Sequence, residues 1–155
     1  MTIDDFKSLL DDFELASLLP ELDSIMSKVP AIARIAILAG PVLLVVMGLV
    51  YLFATPKEAN YHIGFRCYYG MGSVEAWQFT QRLAGKVWVG LGLVLSVIML
   101  LIGLGFSKMQ TMDLLWRAVS CVLWEAVLTL AAYLTVNVIV IRRFDKKGEL
   151  RVKTR

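Results

Sequence analysis

The stretch IAILAGPVLLVVMGLVYLFAT, residues 35–55, decides the fold of this chain, because it is long, apolar and free of charged side chains. Residues 87–107 and 118–141 have the same character, and Glu125 is the one charged side chain in all three stretches. A helix needs roughly 20 mostly apolar residues to cross about 30 Å of hydrocarbon. The sequence therefore predicts an all-α integral membrane protein with three transmembrane helices.

The composition supports a membrane protein, since 58% of the 155 residues are hydrophobic and only 19% are charged. An ordinary soluble domain is less apolar and more highly charged. We predict an acidic N-terminal segment over residues 1–30 and a three-span membrane domain over residues 31–141. A loop, residues 56–86, joins the first two spans, and a basic tail covers residues 142–155.

The formal net charge of +3 hides an uneven distribution. Residues 1–34 hold three basic and seven acidic side chains, whereas residues 142–155 hold seven basic and two acidic ones. With three spans, the loop 56–86 and the tail lie on the same side of the membrane. Short basic segments stay in the cytoplasm, so we expect the C-terminus in the cytoplasm and the N-terminus outside.

The N-terminal segment has the pattern of an amphipathic helix over residues 2–29. Its apolar residues recur every three or four positions: Ile3, Phe6, Leu9, Leu10 and Phe13. Proline interrupts helices, so we expect the helix to break or restart at Pro20 and Pro30. The acidic polar face is not attracted to anionic lipid. Two interpretations stay open: an interfacial helix lying on the first span, or a docking surface for a partner protein or a second copy.

The loop 56–86 is rich in both aromatic and polar residues, a combination typical of the membrane interface. We expect its second half to be helical from about Ser73, capped by Gly72 or Ser73, and to continue into the second span. Glu75 in the first turn complements the helix dipole. Four residues then share one helix face: Trp77, Gln81, Ala84 and Trp88. The glycines of the second span predict close packing within the molecule.

The third span carries two polar residues, Glu125 and Asn137. A charge at the bilayer centre costs about 2.5–3.5 kcal/mol, so such a residue usually faces the protein interior. Glu125 is either a neutral or paired structural residue, with Arg34 or Arg117 as its partner, or a residue that transfers protons or contacts a ligand. We expect Asn137 to form a hydrogen bond between helices.

The loop also carries a motif with a distinctive spacing. Its residues run Asn60-Tyr-His-Ile-Gly64-Phe65-Arg66-Cys67, then Glu75-Ala-Trp77, then Gln81-Arg-Leu-Ala-Gly85. Over about residues 56–104 the chain resembles the SdpI family of small membrane proteins, whose motif has a Gly-Tyr-Arg-Thr core. Phe65 replaces the tyrosine and Cys67 replaces the threonine, so this chain has neither hydroxyl group of the family core.

The resemblance implies a location in a bacterial cell membrane, and it also implies a function. The family takes its name from an immunity protein that protects a toxin-producing cell from its own membrane-active peptide and also sequesters a transcriptional repressor. We therefore expect immunity to such a peptide, or sensing of it with recruitment of a cytoplasmic regulator. The candidate motif residues are Asn60, Gly64, Phe65, Arg66, Glu75, Trp77 and Gly85. Either they clamp the loop onto the bundle, or they bind a ligand, with Arg66 as polar anchor, Glu75 as its partner and Trp77 as packing anchor.

Enzymatic chemistry is not predicted. His62 is the only histidine, and with Cys67 it supplies fewer ligands than a zinc site needs. Cys67 and Cys121 form no paired motif, and phosphate-binding and nucleophile motifs are absent. We expect no cofactor or metal and no nucleic acid; the lipid bilayer is the expected partner, with anionic lipid at the tail. The alternatives are an accessory subunit of a larger membrane complex or a homo-oligomer and, less favoured, a small transporter or intramembrane enzyme using Glu125.

Overall fold

The computed structural model describes residues 15–59 and 62–151 of the chain, with side chains from residue 24 onward. Long helices dominate it: α1 (Leu15–Phe53), α2 (Val74–Leu104) and α3 (Thr111–Arg143). Short 3-10 turns cover Tyr69–Met71 and Phe106–Lys108. Within the described ranges three helices are long and apolar enough to cross a membrane. The predicted all-α fold with three spans is confirmed.

Helix α1 is longer than the predicted first span and runs without interruption through Pro20, Pro30 and Pro41. The predicted breaks at Pro20 and Pro30 are therefore wrong. A proline removes one backbone hydrogen bond, and here the flanking residues, mostly Leu, Ala, Ile and Ser, continue the helix on both sides. The predicted helix over residues 2–14 lies outside the described residues. At 1.5 Å per residue α1 is about 58 Å long, so its N-terminal part extends beyond a hydrocarbon core of about 30 Å.

Helices α1 and α2 share the most extensive contact in the bundle, and glycines lie within it. A Cβ atom on Gly85 would lie 2.8 Å from the Gly48 carbonyl oxygen, and one on Gly48 would lie 2.9 Å from the Gly85 carbonyl oxygen. Gly92 lies equally close to the backbone of Pro41 and Val45. The predicted use of glycine for packing within the molecule is confirmed.

The outside of the bundle is as apolar as its inside. Large aliphatic side chains project outward from the helices with exposed fractions of 59% at Val94, 65% at Leu101 and 61% at Leu123. In water, apolar surface on this scale would drive association. Here it faces hydrocarbon. The buried side chains form two small clusters, one toward each end of the bundle.

The end of α3 folds back on the start of α2. Phe144 and Leu150 form an antiparallel bridge, and the Ser73 hydroxyl donates a hydrogen bond of 2.7 Å to the Gly148 carbonyl oxygen. The Arg143 guanidinium lies 4.2 Å above the Phe79 ring. The first part of the basic tail is therefore a folded element, placed on the same side as the loop between α1 and α2.

Candidate functional site: the connector and an intramembrane cavity

Residues 56–73, the connector between α1 and α2, are held at the bundle end by Trp77. Its side chain has no solvent exposure, and its indole N–H donates a hydrogen bond of 2.9 Å to the Pro56 carbonyl oxygen. Helix α2 positions this ring because Ser73 caps its first turn, accepting a hydrogen bond of 3.1 Å from the Ala76 N–H. The predicted helix start near Ser73 is confirmed.

Gly64 allows the connector to pass over Trp77. Its φ of +127° lies in a region that side-chain-bearing residues rarely adopt. A Cβ atom here would also lie 2.6 Å from Cη2 of the Trp77 ring. Gly64 and Trp77, which the motif separates by 13 positions, therefore form one packing unit.

Gln81 fixes the next residue of the motif through two hydrogen bonds. The Phe65 N–H donates to Gln81 Oε1 at 2.8 Å, and Gln81 Nε2 donates to the Phe65 carbonyl oxygen at 2.8 Å. Gln81 is 3% exposed, so the pairing is screened from solvent. On the predicted face of α2, Trp77, Gln81 and Ala84 are buried and Trp88 is partly buried.

Phe65 and Cys67 occupy the two positions where the motif departs from its usual pattern, and both are buried. The Phe65 ring lies 5.1 Å from the Tyr133 ring and 6.3 Å from the Trp88 ring. Burial raises the pKa of the Cys67 thiol, opposed by hydrogen bonds from Gly70 and Thr80. The thiol is therefore neutral and packs as a small apolar group.

Arg66 lies between these two buried residues, and its own side chain is exposed. Glu75 is also exposed, and among the described residues no ion pair joins it to Arg66. The predicted Arg66–Glu75 pair is therefore not formed in this structure. Asn60, the first residue of the motif, lies outside the described residues. The connector is clamped by Trp77, by Gly64 and by the pairing of Gln81 with Phe65. Arg66 projects away from this clamp.

Glu125 lies in the interior of the bundle with 7% of its surface exposed. Its Oε1 has no hydrogen-bond partner among the described residues. Arg34, one of its two predicted partners, is used elsewhere: its Nε donates to the Gly103 carbonyl oxygen at 2.8 Å, and its guanidinium also binds the Ser107 hydroxyl. Arg117, the other, is exposed. Neither predicted ion pair is formed.

Asn137 also differs from its prediction. Its Nδ2 donates a hydrogen bond of 2.9 Å to the Tyr133 carbonyl oxygen, one turn earlier on α3. This bond lies within one helix, so the predicted bond between helices is not the one observed. The carbonyl oxygen one turn earlier satisfies the Asn137 amide within α3. The amide therefore does not need an acceptor on a neighbouring helix.

Sequence reasoning missed that Glu125 lines a cavity of about 580 Å³ together with residues from α1 and α2. Trp88 supplies part of the wall, and its buried indole nitrogen has no hydrogen-bond partner in residues 15–59 and 62–151. Gly40 leaves the room that the carboxyl group fills, since a Cβ atom there would lie 2.5 Å from Glu125 Oε2. In the sequence, the helical spacing that places Trp88 on the buried face of α2 was the one indication of this cavity. No sequence pattern indicated a role for Gly40.

Comparison with known proteins agrees with the motif. The family model described as the SdpI/YfhL protein family matches residues 56–141, which include the connector, α2 and most of α3. No curated protein and no solved structure matches the chain. The matched region is more than half of the sequence and contains the clamp formed by Gly64, Trp77 and Gln81. The chain is therefore a member of the SdpI/YfhL family of membrane proteins.

Proposed function

We propose that this protein confers immunity to a membrane-active peptide by binding it at the connector, with Arg66 as the contact residue. The observation that carries the proposal is the contrast within the motif. Phe65 and Cys67 are buried and their backbone is fixed, whereas Arg66 between them is exposed. A residue needed only to hold the connector would point inward, so the outward position supports contact with another molecule.

The chemistry of Arg66 fits a peptide. A guanidinium group presents five N–H donors in a planar fork that suits carboxylates and carbonyl oxygens. Lys57 and Arg82 line a small cleft beside Pro56, which adds positive charge at the same end of the bundle. The surrounding apolar surface would hold the apolar part of a peptide in the membrane. Such a role requires binding of the peptide without catalysis. In the proposed orientation, the end of the bundle that carries the connector faces the cytoplasm.

Arg66→Ala is expected to abolish protection while leaving the protein in the membrane. The test expresses each variant in a sensitive bacterium and adds the secreted peptide that the family's immunity protein counters. Survival is the measurement, and immunoblots of the membrane fraction report the amount of each variant. Arg117→Ala is the matched control, because Arg117 is also exposed but lies near the start of α3, away from the connector. Full protection by Arg66→Ala at equal protein level would contradict the proposal.

A second candidate function, an accessory subunit of a membrane complex, is supported by the length of α1. The helix extends beyond the hydrocarbon, and its exposed residues Ser24 to Lys28 make no packing contact that buries them. A deletion of residues 2–29 separates the two functions. Loss of co-purifying proteins with protection retained would favour an additional docking role, whereas loss of neither would remove this candidate.

A further inference from the structure

An open cleft of about 460 Å³ lies where α3 ends and the tail folds back on the bundle. Three arginines and two aliphatic residues line it: Ile139, Arg142, Arg143, Leu150 and Arg151. Helix α3 is a candidate membrane span that ends at Arg143. At 1.5 Å per residue, Ile139 lies about 6 Å deeper along the helix axis than Arg143. The cleft therefore runs from the edge of the hydrocarbon to the level of the lipid head groups.

The fold of the tail places Arg151 beside the end of α3. Its backbone N–H donates a hydrogen bond of 3.0 Å to the Arg143 carbonyl oxygen, and its Nε donates one of 3.0 Å to the Phe144 carbonyl oxygen. A guanidinium group also has N–H donors on its two terminal nitrogens, and those of Arg151 have no acceptor within residues 15–59 and 62–151. Arg142 is exposed and has no hydrogen-bonded partner in the same ranges. Both side chains are therefore available to another molecule.

Acidic residues lie near the cleft but do not line it. Asp145 and Glu149 belong to the same turn, and neither is part of the wall. Asp145 Oδ1 accepts hydrogen bonds of 2.9 Å from the backbone N–H groups of Lys147 and Glu149, so its carboxylate stabilises the turn. In the part of the chain that the structure describes, no salt bridge joins the three arginines to an acidic side chain. With three arginines and no acidic residue, the wall has a formal charge of +3.

We propose that this cleft binds the head group of one anionic phospholipid. The planar fork of a guanidinium group matches the oxygens of a phosphate, and the three arginines together attract a net negative charge. Ile139 and Leu150, which are 37% and 46% exposed, contact the upper part of an acyl chain. A zwitterionic lipid also carries a phosphate, but its ammonium group meets the same positive charge and is repelled.

The fold distinguishes a site from a diffuse attraction. The sequence predicts anionic lipid along the basic tail as a whole. The folded turn instead gathers three arginines around one cleft and leaves Lys146 and Lys147 outside it. Diffuse attraction depends on charge and on distance from the membrane surface, so every basic residue of the tail would contribute about equally. In a site, the arginines of the cleft contribute more than the lysines beside them.

The experiment measures lipid binding to the full-length protein by native mass spectrometry. The protein is purified in a delipidating detergent and mixed with equal amounts of phosphatidylglycerol and phosphatidylcholine that have the same acyl chains. We expect one phosphatidylglycerol to be retained per protein, with a preference of about tenfold over phosphatidylcholine, since each nearby cation strengthens the attraction of anionic lipid. Ammonium phosphate, added as a competitor, should not displace the lipid, because inorganic phosphate has no acyl chain to contact Ile139 and Leu150.

Variants of single basic residues assign the site. Arg142→Gln should weaken retention of phosphatidylglycerol about fivefold, the effect of about one interfacial charge. It should leave the turn intact, because the Arg142 side chain makes no hydrogen bond within the described residues. Arg151→Gln, which changes a second part of the wall, should weaken retention at least as much. Lys146→Gln is the matched control, because Lys146 is exposed on the same turn and carries the same charge but lies outside the cleft. It should retain the lipid within about twofold of the wild type.

Three outcomes would overturn the proposal. Equal retention of the two lipids would remove the selectivity for negative charge, and displacement by inorganic phosphate would make the cleft a site for free anions. Equal losses in Arg142→Gln and Lys146→Gln would reduce the binding to a diffuse attraction by the tail. The result is independent of the protection assay, since Arg66 is unchanged in every one of these variants and does not line this cleft.

Discussion

Gly92→Ala is expected to destabilise the helix bundle by about 2 kcal/mol, although it adds one methyl group and improves helix propensity. The new Cβ atom would lie 2.8 Å from the Pro41 carbonyl oxygen and 2.9 Å from the Val45 amide nitrogen. Both are backbone atoms of α1, so the contact is relieved only if the two helices separate. Overpacking of this kind typically costs about 1–3 kcal/mol, and in lipid close packing is a main source of helix association.

Gly90→Ala is the matched control on the same helix. A Cβ atom at Gly90 meets no atom within 4 Å, and the residue is exposed. Replacing glycine by alanine in a helix gains up to about 1 kcal/mol, so this variant should be as stable as the wild type or more so. The measurement is the unfolding free energy in detergent micelles, followed by circular dichroism against increasing sodium dodecyl sulfate. Equal stability of the Gly90 and Gly92 variants would contradict the close approach of α1 to α2 at Gly92.

The number and position of the spans could be predicted because hydrocarbon imposes a simple rule of length and polarity. The predicted stretch 87–107 lies within the candidate span Val74–Lys108, and the expected helical extension back to Ser73 is present. The prolines misled the prediction, since Pro20 and Pro30 break the local hydrogen-bond pattern without ending α1. Whether a helix continues past a proline depends on the residues around the proline and on tertiary packing. Neither can be inferred from the proline alone.

One part of the candidate site could be predicted from sequence, because helical spacing alone places its residues on the same face of a helix. Trp77 and Gln81 fall on one helix face, and that face is buried. The partners of Glu125 were not predictable, because Arg34 pairs with the Gly103 carbonyl oxygen and with Ser107, groups about 70 positions away in sequence. The cavity depends on side chains from three helices at once, so no pattern within one helix could indicate it.

Gln81→Leu is expected to release the connector from the bundle without unfolding the three helices. The substitution removes both partners of Phe65, leaving a backbone N–H and a carbonyl oxygen buried and unpaired. Each such group costs about 1–3 kcal/mol, so the connector should lose about 2–6 kcal/mol of local stability. It is held largely by this pairing and by Trp77, so a loss of that size favours local opening.

Trypsin measures this opening directly, because Arg66 lies inside the connector next to the residue that Gln81 holds. Cleavage after Arg66 in nanodiscs should be slow in the wild type and at least tenfold faster in Gln81→Leu, while circular dichroism reports unchanged helix content. Gln81→Glu should be intermediate, since an ionised carboxylate still accepts from the Phe65 N–H but cannot donate to its carbonyl oxygen. Gln78→Leu is the matched control, because Gln78 is only partly buried and makes a single long contact of 3.5 Å to the Lys57 carbonyl oxygen. Equal cleavage rates for the Gln78 and Gln81 variants would show that the connector is held by other contacts, because only Gln81 bonds both backbone groups of Phe65.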